Sequence, residues 1–273
     1  MRLTEKLKEL KFAKKAIFAA NFYNYETLTG ILNASVACNC PVILQLSESS
    51  IAYLGLRNAV GMAKTALDSS GVEGWLHLDH GSSLEMVAAC LAVGFDSVMI
   101  DASENSFDDN VHITSEAVRM AKKYGANVEA ELGYVAKLGQ PHDKSGFTSP
   151  EEAKRFVELT GVNALAVAIG SAHGFYQETP KLDISLLNEI SHATTAPLVL
   201  HGGSGIPDLM LQEAIRNGIV KINLATETKN IFMQTLKIIL AENQEIDLRK
   251  VFPKATDAVS ELINHKLSVL LNA

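Results

Sequence analysis

The sequence predicts an α/β fold in which eight parallel strands, each followed by a helix, close into a single barrel. Short apolar runs alternate with longer segments of helical periodicity, in units of roughly 30 residues. Polar residues follow these runs at one end only, and in a barrel that end is the C-terminal rim. No linker or composition shift divides the 273 residues, so we predict one TIM (β/α)8 domain over 1–273, with extra terminal helices. A doubly wound open sheet is the alternative.

Each strand is predicted from an apolar run that is too short for a typical helix. The predicted strands are 16–21, 41–47, 75–79, 97–101, 127–132, 164–168, 197–201 and 220–224. The predicted helices are 26–37, 56–69, 84–93, 111–124 and 262–271, where apolar residues recur at helical spacing. Another helix begins at 149–152, because Ser is a good cap and Pro fits a first turn. The stretch 133–148 is predicted to be a polar loop.

Composition excludes several classes of protein. The net charge is -7 and no block of Lys and Arg occurs, which argues against nucleic-acid binding. The apolar runs are far shorter than a bilayer span, and the amphipathic start at 1–8 lacks the apolar region of a signal peptide. Cys38, Cys40 and Cys90 are an odd number of cysteines, so no disulfide framework is expected. We therefore expect a cytoplasmic protein that does not bind a membrane.

The third predicted strand ends in a dense group of polar side chains, His77, Asp79 and His80. Side chains alternate along a strand, so His77 and Asp79 are expected on one face and His80 on the other. The end of this strand can therefore hold a metal ligand beside an acid–base group. His77 is expected to be buried; a fourth metal ligand, or a partner that orients the ligands, is the alternative.

Two further histidines occupy equivalent places, His173 after the sixth strand and His201 at the end of the seventh. A single histidine in such a place is more often a helix cap or a buried hydrogen-bonding group. Three imidazoles with an open fourth position, by contrast, form a typical catalytic Zn²⁺ site. The set of His80, His173 and His201 therefore favours a zinc centre.

Two loops at the same rim have the features of an anion site. Residues 202–205 are rich in glycine and lie between the seventh strand and a helix, so backbone N–H groups can approach an anion closely. Residues 223–226 precede the next helix and supply a second set of donors. The loops after the seventh and eighth strands are the usual phosphate site of this fold, so we predict phosphate binding there.

Three carboxylates lie near this rim. Glu129 and Glu131 share one face of the fifth strand, and Asp101 ends the fourth. They can hold a second cation or orient the ligand histidines. Pairing with a Lys or Arg from a loop is the other interpretation, and the sequence leaves both open.

Five motifs stand in order at the strand ends. They are WLHLDHG at 75–81, VEAELG at 128–133, GSAHGFY at 170–176, HGGSG at 201–205 and KINLAT at 221–226. Together they resemble the class II, metal-dependent fructose/tagatose-bisphosphate aldolase family, over nearly the whole chain. The length and the stretch 180–183 are most similar to the tagatose-bisphosphate branch.

The resemblance implies a zinc-dependent lyase. Its implied zinc ligands are His80, His173 and His201. Asp79 is implied as the acid–base group on the C4 hydroxyl, and Asp101 and Glu131 match an auxiliary or alternative metal position. The implied substrate contacts are Ser47, Gly174, Lys181, Gly202, Gly203, Ser204, Asn223, Ala225, Thr226 and Arg249. A monovalent cation, Na⁺ or K⁺, is implied nearby.

The implied reaction is reversible cleavage of the C3–C4 bond of a ketose 1,6-bisphosphate to dihydroxyacetone phosphate and an aldehyde such as glyceraldehyde 3-phosphate. A carboxylate is suited to take the proton of the C4 hydroxyl, and Zn²⁺ as a Lewis acid stabilises the charge that develops. An arginine of this family can come from a neighbouring subunit, so a homodimer or homotetramer is implied.

One loop departs from the family pattern. Residues 133–143 lack the paired glycines and the Glu-Asp pair of the family's loop, whose acid handles the proton at C3. The sequence offers His142 or Asp143 as a substitute. Another phosphorylated ketose, even a monophosphate, is therefore an alternative substrate, and a non-catalytic sugar-phosphate-binding subunit is an alternative function. A metal-dependent hydrolase is disfavoured, because 20–23 at the end of the first strand contain no His-x-His pair.

Overall fold

The described residues form ten strands, eight of which join into a closed barrel at the centre of the fold. The structure, a computed structural model, describes residues 1–137, 146–176 and 178–273. The strands are β1 Ile17–Asn21, β2 Val42–Ser47, β3 Gly74–Gly81, β4 Ser97–Ile100, β5 Asn127–Leu132, β6 Ala136–Lys137, β7 Ala164–Val167, β8 Ala172–His173, β9 Leu198–Leu200 and β10 Ile219–Leu224. The barrel order is β1-β10-β9-β7-β5-β4-β3-β2, and β1 pairs in parallel with both β10 and β2. This closure confirms the predicted barrel and excludes the open sheet.

Helices follow the barrel strands and pack around the outside. They are α1 Leu3–Ala13, α2 Tyr25–Cys38, α3 Glu48–Leu54, α4 Leu56–Ser70, α5 Leu84–Ala92, α6 Phe107–Lys122, α7 Pro150–Thr160, α8 Ile184–Ala193, α9 Asp208–Arg216, α10 Thr226–Glu242 and α11 Leu248–Leu271. None of these described helices has both the length and the apolar character needed to cross a membrane.

Two helices begin earlier than the sequence pattern predicted. α6 begins at Phe107, four residues before the predicted start at 111. Its N-cap is Ser106, whose hydroxyl accepts a hydrogen bond from the Asp109 amide. α11 begins at Leu248 rather than at 262 and contains Pro253 in its second turn. A proline there removes one backbone hydrogen bond, and packing of α11 against α2 and α10 outweighs that loss.

The predicted polar loop 133–148 contains a strand that the sequence did not indicate. β6 pairs in parallel with β8, so that Ala136 lies beside Ala172 and Lys137 beside His173. A two-residue ladder has no periodic signature, and nothing in the composition marks it. Its effect is to tie the loop after β5 to the segment that carries His173.

The N-terminal end of the barrel is closed by α1. Leu3, Leu7 and Leu10 pack into the apolar lower interior, which includes Trp75. Burying a leucine side chain stabilises the fold by roughly 1.5–3 kcal/mol, so this plug is a substantial part of the core. With this end filled, polar chemistry is confined to the opposite, C-terminal rim.

The end of β3 is irregular, and this corrects the predicted alternation of faces. Leu78 pairs with Val98 but Gly81 pairs with Ile100, so β3 carries an extra residue relative to β4. His80 has a φ of 51°, in the left-handed region. The bulge turns His80 toward the same side as the preceding carboxylate, and the expectation that His80 faces away is wrong.

Candidate active site

Three imidazole rings converge at the C-terminal rim. His80 lies in β3, His173 in β8, and His201 directly after β9. His80 Nε2 is 3.2 Å from His173 Nε2 and 3.0 Å from His201 Nδ1. The ring centroids are 4.9, 4.7 and 5.7 Å apart. The three histidines that the sequence singled out therefore meet at one point.

These nitrogens fit the ligand set of a tetrahedral Zn²⁺. Zn–N bonds of about 2.0–2.1 Å place the ligand atoms of such a site about 3.3 Å apart. The two nitrogen–nitrogen distances at His80 are close to that value. His201 is buried, whereas His80 and His173 are half-buried, so the centre is reachable from the rim.

The remaining ring nitrogen of His80 is held by a carboxylate. His80 Nδ1 lies 2.7 Å from Asp101 Oδ2. Burial disfavours the charged ring, but the hydrogen bond to Asp101 and the charge of Asp79 together raise the pKa of His80 to about 9. Asp101 is further held by the hydroxyl of Ser103 at 2.7 Å. A metal ion bound at His80 would therefore displace a proton.

The carboxylates near the rim divide into two roles. Glu129 is fully buried, accepts a hydrogen bond from Lys221 Nζ at 2.8 Å and contacts His201 Nε2 at 2.9 Å. Glu129 therefore combines the two interpretations that the sequence left open: it orients His201, and it forms an ion pair with Lys221. The lysine lies in β10 and not in a loop. Asp101 and Glu131 instead form a second group of metal-ligand type with His80.

Glu131 is a buried carboxylate with one oxygen available to a cation. Burial, followed by the nearby charge of Asp101, raises the pKa of Glu131 to about 8. Its Oε2 is buried, accepts no hydrogen bond from the described residues and lies 3.4 Å from His201 Nδ1. A divalent ion at the rim would satisfy this oxygen, which supports the fit of the site to a metal.

Asp79 lies beside the histidines and is held by two amides. Asn21 Nδ2 donates to Asp79 Oδ2 at 2.9 Å, and Asn223 Nδ2 donates to Asp79 Oδ1 at 3.2 Å. Burial opposes ionisation, but the nearby His80 and these surroundings lower the pKa of Asp79 on balance. His80 Nε2 is 4.0 Å from Asp79 Oδ1, so the carboxylate is an ionised acceptor next to the histidine cluster.

Sequence analysis missed two members of this network. Gln45 Nε2 donates to Asn21 Oδ1 at 2.9 Å, and the two residues are register partners on β1 and β2. Both are buried polar residues in otherwise apolar strands. That exception to the apolar pattern was the available signal, and together they fix the amide that holds Asp79.

A small cavity joins Asp79 and His173 to the glycine-rich loops. Its lining residues are Asn21, Asp79, His173, Gly174, Gly202, Ser204, Asn223, Ala225 and Thr226. Six of these are predicted substrate contacts. Thr226 begins α10, whose N-cap residue, Ala225, has no side-chain acceptor, and the Glu227 amide in the first turn donates to Ser204 Oγ at 3.3 Å. The positive end of the helix dipole favours an anion here.

Gly202 is required by its backbone. Its φ is +67°, and a Cβ atom there would collide with the carbonyl oxygen of Ala172. Tyr176 fixes the same approach, because its hydroxyl accepts from the Ala172 amide at 2.7 Å and donates to the Gly202 carbonyl at 2.9 Å. Sequence analysis did not identify this role of Tyr176. The loops after β7 and β9 are thereby locked together beside the cavity.

Four predicted contacts lie outside the cavity lining. Gly203 donates its amide to the Asn223 carbonyl at 3.1 Å. Ser47 is a register partner of Asp79 but uses its hydroxyl to cap α3. Lys181 is exposed, and the Arg249 side chain is 89% exposed and paired with Asp247 at 3.0 Å.

Two further sequence expectations have simple outcomes. His77 is fully buried, as expected, and contacts Ser97 Oγ at 2.7 Å; it is outside the histidine cluster. His142 and Asp143, the proposed substitutes for the missing loop acids, lie outside the described residues.

A closed parallel barrel with three converging imidazoles, a buried carboxylate and a glycine-lined cavity at one rim is the arrangement of a metal-dependent barrel enzyme. Comparison with known proteins makes this class specific. Residues 1–273 match the family described as "Fructose-bisphosphate aldolase class-II". The chain belongs to the class-II fructose-bisphosphate aldolase family and is an aldolase, an enzyme of the lyase class.

Relatives in other organisms are similar over almost their whole length. A fructose-bisphosphate aldolase of Geobacillus stearothermophilus is 39% identical, over 97% of this chain and 94% of the relative. One of Helicobacter pylori is 36% identical, over 93% and 92%. The crystal structure of the YdjI aldolase of Escherichia coli K12 is 32% identical with a TM-score of 0.87, over 98% of this chain and 96% of that one. The non-catalytic and hydrolase alternatives are therefore set aside.

Proposed function

We propose that this chain is a zinc-dependent aldolase that reversibly cleaves the C3–C4 bond of a ketose 1,6-bisphosphate, of fructose or tagatose. The products are dihydroxyacetone phosphate and an aldehyde such as glyceraldehyde 3-phosphate. The observation that carries the proposal is the placement of three converging imidazole nitrogens next to ionised Asp79. The names of the curated relatives agree with this substrate class.

Zinc would be held by His80 Nε2, His173 Nε2 and His201 Nδ1. When bound there it would supply Lewis-acid stabilisation of the negative charge that cleavage leaves on the ketose oxygens. Asp101 orients His80 through its other ring nitrogen. Asp101 and Glu131 are proposed as an auxiliary or alternative position for the ion, since their oxygens lie near His80.

Asp79 takes the proton of the C4 hydroxyl in the cleavage direction and returns it in condensation. The amides of Asn21 and Asn223 hold both carboxylate oxygens in place. A lowered pKa keeps the carboxylate ionised and ready to accept that proton. Neither Lys181 nor Lys221 is needed for a Schiff base, and Lys221 is already paired with Glu129.

The cavity lined by Gly174, Gly202 and Ser204 is proposed to hold the phosphate of the dihydroxyacetone portion, with Thr226 at the helix N-terminus. Asn223 Oδ1 is buried and accepts no hydrogen bond from the described residues. That oxygen is available to a substrate hydroxyl or to the monovalent cation, Na⁺ or K⁺, that we also propose here.

We further propose a homodimer or homotetramer in which Arg249 reaches a neighbouring subunit's site. Its support is the exposure of this side chain and its position away from the cavity of its own chain. Analytical ultracentrifugation measures the oligomeric state, and a monomeric active enzyme would exclude the shared site.

A cytoplasmic location is proposed as well, consistent with three cysteines that are free thiols.

A coupled assay tests the function. Purified, zinc-loaded protein is offered fructose and tagatose 1,6-bisphosphates and their 1-monophosphates, and release of dihydroxyacetone phosphate is followed through its reduction by an NADH-dependent dehydrogenase. Turnover of a bisphosphate that disappears in Asp79→Ala is expected. Turnover confined to a monophosphate would replace the substrate assignment, and no release from any of the four would contradict the proposed function.

A further inference from the structure

A chain of fully buried polar groups runs from the histidine cluster into the barrel interior. Glu129 Oε1 contacts His201 Nε2 at 2.9 Å, and Glu129 Oε2 accepts from Lys221 Nζ at 2.8 Å. The three side chains are 0–1% exposed. Lys221 Nζ also lies 3.4 Å from His77 Nε2, and His77 Nδ1 lies 2.7 Å from Ser97 Oγ. None of these partners touches the substrate cavity.

The chemistry of these groups leaves one arrangement of protons. An ammonium group can only donate hydrogen bonds, and a carboxylate can only accept them. Because Lys221 donates to one oxygen of Glu129, the other oxygen faces His201 Nε2 and requires a proton on that nitrogen. His201 Nδ1 then keeps its lone pair, and it is this atom that lies 3.0 Å from His80 Nε2.

We propose that Lys221 and Glu129 are positioning residues that fix the tautomer of His201, so that this ring binds the metal through Nδ1 while His80 and His173 bind through Nε2. The inference rests on the proposed function only in taking the three histidines as the zinc site. Lys221 acts at a distance, by keeping the carboxylate charge compensated and its second oxygen turned toward the ring.

The lysine is itself held in place from below. If Lys221 donates to His77 Nε2, His77 must carry its proton on Nδ1 and donate to Ser97 Oγ. Ser97 Oγ also accepts from Asn127 Nδ2 at 3.1 Å. Each contact in the chain then joins a donor to an acceptor. The opposite tautomer of His201 would set the Nε2 lone pair against Glu129 Oε1, and the opposite tautomer of His77 would set an N–H group against the Lys221 ammonium.

Amide substitution of Glu129 gives the sharpest test. In Glu129→Gln the single amide oxygen accepts the hydrogen bond from Lys221, which can only donate. The NH₂ group then faces His201 Nε2 and needs an acceptor there, so the ring proton moves to Nδ1. We expect zinc affinity, measured by competition with a chromogenic chelator, to fall on the order of 10- to 100-fold. Adding Lys221→Met frees the amide to rotate and present its oxygen to His201, so the double variant should bind zinc more tightly than Glu129→Gln alone.

Structural damage would make zinc affinity fall further when a second buried residue is replaced, so a recovery of affinity in the double variant points to the tautomer. A double variant that binds zinc no more tightly than Glu129→Gln overturns the inference. Lys11→Met is the matched control: Lys11 lies in the last turn of α1, at the other end of the barrel, and donates to the carbonyls of Thr194 and Ala196. Its zinc affinity should equal that of the wild type, and a loss as large as that of Glu129→Gln would also overturn the inference.

A measurement on the wild-type enzyme is independent of whether variants fold. ¹⁵N–¹H multiple-bond spectra of the zinc-loaded, ¹⁵N-histidine-labelled protein should contain one metal-bound ring with its proton on Nε2, absent in His201→Asn, and two with the proton on Nδ1. Three rings with the same tautomer would refute the assignment while leaving the zinc site intact. A wild-type protein that binds no zinc would instead refute the proposed function.

Discussion

Among single residues, Asp79 is proposed to be an acid–base group and not a metal ligand. Its oxygens are committed to the amides of Asn21 and Asn223. Replacing it with alanine should lower kcat/KM by about 10²- to 10⁴-fold, the usual contribution of a general base. Bound zinc, determined by elemental analysis, should stay at one ion per chain. Full turnover by Asp79→Ala would show that another group takes the proton.

His201 makes the opposite prediction, because it is both a proposed ligand and the most deeply buried of the three rings. His201→Ala should lose stoichiometric zinc and with it C–C cleavage. Elemental analysis after extensive dialysis measures this. His192→Ala removes an exposed histidine whose Nδ1 contacts the Asn188 carbonyl of the same helix, α8, and it should retain zinc at the wild-type level. Normal zinc content in His201→Ala would contradict the ligand set.

Residue identities at the rim were largely predictable, and their partners were not. His80, His173 and His201 were found because each follows an apolar strand at the same end of the barrel. Lys221 lies inside β10, between Val220 and Ile222, and nothing in a sequence states that its ammonium meets Glu129, 92 positions away. Such pairings depend on strand order and register, which appear only when the sheet is closed.

At the scale of secondary structure elements, periodicity located the eight barrel strands to within two residues. It failed where an element is irregular. The bulge in β3 and the left-handed φ of His80 invert the face expected from a period of two. Gly81 is the local clue, because a Cβ there would lie 2.6 Å from the Met99 carbonyl oxygen. A glycine after a histidine was compatible with a simple turn, so the bulge was not predicted.

The loop after β9 should be intolerant of any side chain at Gly202. Gly202→Ala places an L-residue at a φ of +67° and against the Ala172 carbonyl, and the left-handed backbone alone costs roughly 1–2 kcal/mol. Urea unfolding should therefore give a lower free energy of unfolding, and KM should rise because the cavity wall shifts.

Gly61 provides the control for this substitution. It lies in α4, where an added Cβ meets no atom within 4 Å. Gly61→Ala should be neutral or stabilising by up to about 1 kcal/mol, since alanine favours a helix. Equal stability of Gly202→Ala and Gly61→Ala would contradict the proposed backbone requirement.

For the molecule as a whole, we expect the barrel to stay folded when the metal is removed. The core between barrel and helices and the α1 plug are apolar and do not include the histidine cluster. We propose that residues 1–273 form one domain that unfolds in a single transition. Chelator-treated protein should keep its far-ultraviolet circular dichroism, lose activity and regain it with zinc. Its melting temperature should be lower than that of the zinc-loaded protein, because a ligand at a free concentration of 100 times its Kd stabilises the folded state by about 2.7 kcal/mol.

Retention of full activity after thorough chelation would contradict the metal's role, and unfolding on chelation would contradict the separation of core and site. The control is the same treatment of His201→Ala, whose melting temperature should not respond to the chelator or to added zinc.

Three imidazoles at the C-terminal rim are proposed to hold one zinc ion beside Asp79. The decisive experiment is anomalous diffraction from zinc-loaded crystals, collected on both sides of the zinc absorption edge. We predict one strong peak per chain bounded by His80 Nε2, His173 Nε2 and His201 Nδ1. A peak elsewhere, or none at these nitrogens in zinc-loaded crystals, would contradict the account.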